Sequence, residues 1–167
     1  YHDGSRGEAL LDGGSWTSSG NLFLGYNTGA SGTVELSGGA TWHAAASSIV
    51  GAAGEGLARV QSGASWTSDA SVVLGSSGGG TVEVDGGEWT ANAAVTVADG
   101  GRGSVSVSGG GTWTSTDDVA VARYDRSVAE IAIDGATSGW RSEGGVALAV
   151  EAGSSVDVVV RPGAGWE

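Results

Sequence analysis

Tryptophan recurs along this chain at an almost constant interval. The seven residues are Trp16, Trp42, Trp66, Trp89, Trp113, Trp140 and Trp166. Subtracting successive residue numbers gives intervals of 26, 24, 23, 24, 27 and 26 residues. A fixed period of this length is typical of repeat proteins, in which each unit packs against the next. The period constrains the fold strongly, because every unit must present equivalent residues to its neighbours.

A fixed pattern of aliphatic residues follows each tryptophan. The eighth residue after each of the first six is aliphatic, and the sixth is aliphatic in every repeat except at Ser48. A second aliphatic pair precedes each tryptophan, as with Val82 and Val84. Apolar and polar residues alternate around this pair, which is typical of a β-strand. We therefore predict three short strands per repeat: one before the tryptophan, one containing it and one after it.

Stacked repeats predict the fold class. A unit of about 24 residues with three short strands cannot bury its inner face alone, whereas a stack of units can. We predict an all-β parallel β-solenoid of about seven rungs, about 30 Å long at roughly 4.8 Å per rung. The whole chain, 1–167, forms a single segment. Its repeats span 7–31, 32–55, 56–79, 80–102, 103–127, 128–153 and an incomplete 154–167.

Stacking places the seven tryptophans in one structural ladder. The residue two positions after each of the first six is Ser or Ala, which leaves room for the large indole. One interpretation is a column of tryptophans in the core. The other is an exposed aromatic row that stacks on sugar rings, since tryptophan suits both environments. The second interpretation makes a carbohydrate-binding module the alternative function.

Composition excludes several functions. The chain has no Cys and a net charge of -12, so disulfides, thiolate metal sites and nucleic-acid binding are not expected. No apolar run approaches the roughly 18 residues of a membrane span, so this segment is not expected to insert into a membrane. The two histidines, His2 and His43, have no partner in a matching register and are predicted to be inert. We expect no metal and no cofactor.

One turn combines charged and aromatic residues. It contains Arg123, Tyr124, Asp125 and Arg126, which form either an ordinary solvated turn or a contact with a partner. Tyr26 and Asn27 lie in the equivalent turn of the first repeat, about 19 Å away, too far to share one site. Glycan-active enzymes with this fold need acids or bases clustered on one face, and the sequence shows no such cluster. We therefore predict that the chain is not an enzyme.

The repeat phrases resemble a known family. SGTVELSGGATW, SGASWTSDASVVLG and GGSWTSSGNLFLG are similar to the β-helix repeat of autotransporter (type V secretion) passengers, also found in exosortase-sorted bacterial surface proteins. The resemblance runs from about Gly7 to Trp166. It implies a right-handed β-helix, part of a longer passenger, exported across the outer membrane to the bacterial cell surface. It further implies an adhesin without catalytic residues. Expected partners are cell-surface proteins or glycans of a host or bacterium, or other copies bound through solenoid ends or faces.

Overall fold

The computed structural model describes residues 4–167, which form parallel strands and no helix. Twenty strands, numbered along the chain, make three sheets. Sheet A contains β1 (Arg6–Asp12), β4 (Ser31–Ser37), β7 (Glu55–Gln61), β10 (Gly79–Asp85), β13 (Arg102–Ser108), β16 (Val128–Ile133) and β19 (Ser155–Val160). Sheet B contains β2 (Ser15–Ser18), β5 (Thr41–Ala44), β8 (Ser65–Ser68), β11 (Glu88–Ala91), β14 (Thr112–Ser115), β17 (Gly139–Ser142) and β20 (Gly165–Trp166). Sheet C contains β3 (Leu22–Leu24), β6 (Ser48–Val50), β9 (Val72–Leu74), β12 (Val95–Val97), β15 (Val119–Val121) and β18 (Val146–Leu148).

The predicted fold class is confirmed. The chain is a β-solenoid of about seven turns, with about 24 residues per turn and three strands per rung. Each strand pairs in parallel with its equivalent one rung away, so that Val82 lies beside Val105 and Trp89 beside Trp113. The first strand of each rung begins within one residue of the predicted repeat boundary. The register therefore follows the tryptophan spacing from rung to rung.

Alternating burial along the strands separates the core from the surface. In β5, Thr41 and His43 are exposed, whereas Trp42 and Ala44 are buried. The three sheets direct such inward residues into one continuous core of valine, leucine, isoleucine, alanine and tryptophan. Burial of this apolar surface is the main source of stability in such a stack, at roughly 25 cal/mol per Å².

Ser48 is the polar exception in a column of aliphatic residues. It stands in register with Leu22 and Val72, and it is fully buried. Its hydroxyl has no hydrogen-bond partner. A buried hydroxyl without a partner is unfavourable by about 1–3 kcal/mol. The second rung is therefore less stable at β6 than the neighbouring rungs, which have Leu22 and Val72 at this position.

One corner of the solenoid needs a left-handed backbone in each of the first six rungs. The corner follows the sheet C strand, at the ninth residue after each tryptophan, where φ lies between 51° and 77°. The first three rungs use Gly25, Gly51 and Gly75, whereas the next three use Ala98, Ala122 and Ala149. Glycine adopts this conformation without steric cost, and an L-residue does so at a cost of about 1–2 kcal/mol. The alanine corners therefore rely on the surrounding packing.

Candidate functional site

The seven tryptophans form one stacked column inside the solenoid. Neighbouring ring centroids lie between 4.4 and 5.1 Å apart. The planes of successive rings differ by at most 12°. The parallel register of sheet B produces this arrangement, because Trp66 pairs with Trp89, and Trp89 with Trp113. The column runs without interruption from Trp16 to Trp166.

Most of the column is inaccessible to a ligand. Trp42, Trp66, Trp89, Trp113 and Trp140 are at most 1% exposed. Trp16 is half-buried, and Trp166 is 42% exposed. Stacking on a sugar needs a free ring face. Each of the five inner indoles has one face covered by the preceding tryptophan and the other by the following one. The column therefore gives no support to a sugar-binding row of aromatic rings.

The indole N–H groups of the column fall into two sets. Trp42 Nε1 donates to Ser18 Oγ at 3.2 Å, and Trp140 Nε1 donates to Ser115 Oγ at 3.3 Å. In both cases the acceptor is the small residue two positions after the tryptophan of the preceding rung. The indole nitrogens of Trp66, Trp89 and Trp113 have no hydrogen-bond partner.

The residue at the acceptor position explains two of the three unpaired indole nitrogens, those of Trp66 and Trp113. For Trp66 and Trp113 that position holds Ala44 and Ala91, which offer no hydroxyl. For Trp89 it holds Ser68, whose hydroxyl instead donates to the carbonyl of Thr90 at 3.4 Å. The small residue next to each tryptophan thus provides space and, in some rungs, a hydrogen-bond acceptor.

His43 has no partner in its own register, where it stands beside Thr17 and Thr67, but it has one on a diagonal. His43 lies on the outer face of sheet B, and its Nε2 is 2.6 Å from Asp69 Oδ2. The other oxygen of Asp69 accepts a hydrogen bond of 2.9 Å from Asn92 Nδ2. His43 follows Trp42 directly, whereas Asp69 comes three residues after Trp66, so the contact is diagonal between rungs. A search along one column misses it, whereas a search of diagonal neighbours, which long side chains reach, would have found it.

The same contacts shift the acidity of Asp69. The hydrogen bond from Asn92 is the largest influence, and the hydrogen bond with His43 adds to it, so the pKa of Asp69 is lowered. Both side chains of the His43–Asp69 pair are nearly half exposed. The three side chains thus form an exposed polar ladder across three successive rungs.

On sheet A, the outward side chains of three adjacent strands form an acid–base–acid ladder. Arg59 lies between Glu35 and Glu83 in adjacent strands. Arg59 Nε donates to Glu83 at 2.5 Å, and its guanidinium lies 3.9 Å from Glu35. The hydrogen bond to Glu83 raises the pKa of Arg59. Exposed pairs of this kind contribute about 0.2–1 kcal/mol each, so the ladder helps to fix the register.

The predicted contact turn lies between β15 and β16. Arg123 is 3.4 Å from Asp99, and its guanidinium lies 5.0 Å from the centre of the Tyr124 ring. Arg126 reaches Asp125 at 3.7 Å and is 91% exposed. The backbone N–H of Tyr124 donates to Ser127 Oγ, and that of Ser127 donates to the carbonyl of Tyr124. The turn is thus closed on itself and presents its charged groups outward. Tyr26 and Asn27 occupy the equivalent turn four rungs away.

Two further findings concern metal and membrane. Within residues 4–167, no group of three or more His, Asp or Glu side chains is placed to hold a metal ion. The same residues contain no helix that could cross a membrane. His2 lies outside the described residues.

The comparisons with known proteins return no relative. No protein-family model, no curated protein and no solved structure matches the chain. The resemblance to autotransporter passenger repeats therefore stays a prediction from the sequence.

Proposed function

We propose that this chain is a non-enzymatic segment of an extracellular bacterial adhesin of the autotransporter type. In this role it is a rod that presents binding surfaces on the cell surface for adhesion or self-association. One observation carries the proposal: the tryptophan column is continuous over all seven rungs. A solenoid with one unbroken core resists bending, because each rung packs on the rungs above and below it.

The surface of the rod suits a role in contact rather than in catalysis. Its outer ladders are ion pairs between neighbouring rungs, such as Arg59 with Glu83 and Arg161 with Asp134. The Arg123–Arg126 turn is the place where guanidinium, phenol and carboxylate groups project together, and we assign it to contact with a partner protein or glycan. A chain without Cys also needs no disulfide to fold after export.

Surface accessibility on native cells tests the proposal. An antibody raised against the purified chain is applied to intact cells and to permeabilised cells of the source bacterium. We expect labelling of intact cells, removed by brief treatment with an external protease. An antibody to a cytoplasmic protein serves as the control and labels permeabilised cells alone. Labelling that appears only after permeabilisation would contradict an extracellular role.

Adhesion is tested separately. Purified chain is added in excess while the cells attach to one another or to a host surface, and attached cells are counted. We expect competition by the wild-type chain and weaker competition by an Arg123→Ala/Arg126→Ala variant. Full competition by this variant would remove the turn from the contact surface, and no competition by either protein would contradict direct adhesion by this segment.

A further inference from the structure

Arg102 differs from the other six arginines of the chain. Each of the six forms an ion pair with a carboxylate: Arg6 with Glu8, Arg59 with Glu83, Arg123 with Asp99, Arg126 with Asp125, Arg141 with Glu143 and Arg161 with Asp134. Among the described residues, the guanidinium of Arg102 has neither an ion pair nor a hydrogen bond. An unpaired cation is unexpected in a chain whose net charge is -12. Its guanidinium is therefore available to a group that binds from outside.

Arg102 borders a groove of about 430 Å³ on the outer face of sheet A. We call it the Arg102 groove. Its polar lining comes from four successive rungs: Glu55, Thr81, Arg102, Ser104 and Glu130. A second groove of about 440 Å³ adjoins it and shares Glu55, Gly79 and Arg102. The continuous space is large enough for a ligand of several rings.

The floor of the groove is formed by Gly79, whose missing side chain leaves room for the Glu55 carboxylate. Gly79 lies in register between Glu55 on one side and Arg102 on the other. The carboxylate of Glu55 bends over Gly79, where a β-carbon on that glycine would collide with it. Glu55 and Arg102 thus face each other across Gly79 without forming an ion pair. A ligand group between them can donate to the carboxylate and accept from the guanidinium.

The other polar groups of the groove are also free of protein partners. In the part of the chain that the structure describes, Glu55 and Glu130 form no ion pair, and the hydroxyls of Thr81 and Ser104 form no hydrogen bond. Two carboxylates repel a polyanion, whereas one guanidinium attracts a single anionic group. Guanidinium binds carboxylate through two parallel hydrogen bonds, and carboxylates accept hydrogen bonds from hydroxyls. The complementary ligand therefore carries one carboxylate with hydroxyls on either side of it.

We propose that the Arg102 groove binds an acidic sugar with a single carboxylate. Arg102 binds the sugar carboxylate, Glu55 and Glu130 accept hydrogen bonds from hydroxyls, and Gly79 leaves room for the Glu55 carboxylate beside the ligand. The site is separate from the tryptophan column and from the Arg123–Arg126 turn, and its existence does not depend on the cellular location proposed above.

Titration by NMR of the ¹⁵N-labelled chain tests the site. The probe is the α-methyl glycoside of N-acetylneuraminic acid, which has one carboxylate and several hydroxyls. We expect amide shifts confined to Gly79, Gly103, Ser104 and their neighbours, with a Kd of about 1–10 mM. The methyl ester of the same probe lacks the charge and should bind at least about tenfold more weakly, because hydrogen bonds to charged groups contribute about 1.5–3 kcal/mol. Glycine, which has a carboxylate but no sugar ring or hydroxyls, is titrated separately as the control for binding of the charged group alone.

Two variants and one control make the test decisive. Arg102→Gln should weaken binding at least about tenfold. Gly79→Ala keeps every charge and displaces the Glu55 carboxylate from its place over residue 79, so it should also weaken binding. Arg161→Gln changes an arginine that is already paired with Asp134 and should leave the Kd unchanged. Any of three results overturns the proposal. They are no amide shifts with the probe at about 20 mM, equal binding of the methyl ester, and equal shifts with glycine.

Discussion

The two faces of sheet B belong to the same strands and follow different rules. The inner face repeats one residue seven times, and each indole packs on the next at 4.4–5.1 Å. The outer face, one residue further along each strand, reads Thr17, His43, Thr67, Thr90, Thr114 and Arg141. An inner side chain must fit two neighbours in a close-packed core, whereas an outer one meets water. The repeat therefore stays regular inside and varies outside, and the outer positions are where binding groups can differ between rungs.

Removing an inner indole should have the largest effect. Trp89 is buried and stacks on two tryptophans, so Trp89→Ala should lower the free energy of unfolding by about 3–5 kcal/mol. Trp16 is half-buried with one stacked neighbour, and Trp16→Ala should lower it by about 1–2 kcal/mol. Urea denaturation followed by far-UV circular dichroism measures both. Equal losses would contradict a larger contribution from the inner tryptophans than from the end of the column.

Removing a hydroxyl beside the column should have an intermediate effect. Ser115 Oγ accepts the indole N–H of Trp140 at 3.3 Å, and the pair is buried. Ser115→Ala leaves that N–H without a partner and should lower the free energy of unfolding by about 1–3 kcal/mol. Ser68→Ala is the matched control, because the Ser68 hydroxyl contacts a backbone carbonyl and no indole. The same urea denaturation compares them, and a larger loss for Ser68→Ala would contradict the assigned role of Ser115.

Adding a hydroxyl where one is lacking should stabilise the chain. Ala91 occupies the position that would pair with Trp113, whose indole nitrogen has no partner. In Ala91→Ser the new hydroxyl can accept from Trp113 and donate to the carbonyl of Thr114, as Ser115 does with Trp140 and Arg141. We expect a gain of about 1 kcal/mol in the free energy of unfolding. A loss of stability would show that the hydroxyl does not reach the indole, and Ala44→Ser beside Trp66 repeats the test independently.

Residues that repeat could be predicted from the sequence, whereas contacts between different columns are not indicated by the repeat itself. The tryptophan interval and the aliphatic pairs determine the rungs, the parallel register and the inward side chains, because stacking brings equivalent residues together. The His43–Asp69 contact joins two different columns. Whether Arg102 has an ion pair depends on where the neighbouring carboxylates point. Ser68 illustrates the same limit, since the indole nitrogen of Trp89 has no partner although a serine occupies the acceptor position. Such choices are set by the local fit of individual side chains.

The smallest effect is expected on the outer face, at Asp69. Its pKa is lowered chiefly by Asn92 and further by His43, so the folded chain releases this proton at lower pH than the unfolded chain. The stabilisation is therefore complete above the ordinary aspartate pKa of about 4 and is lost as the pH falls through the lower pKa of the folded state. NMR titration of the Asp69 carboxyl carbon measures this directly. We expect its midpoint to rise toward the ordinary value in Asn92→Ala and, by less, in His43→Ala. Thr116→Ala changes the same column one rung beyond Asn92 and should leave the midpoint unchanged. An unchanged midpoint in both test variants would mean that the contacts of Asp69 with Asn92 and His43 are open in solution.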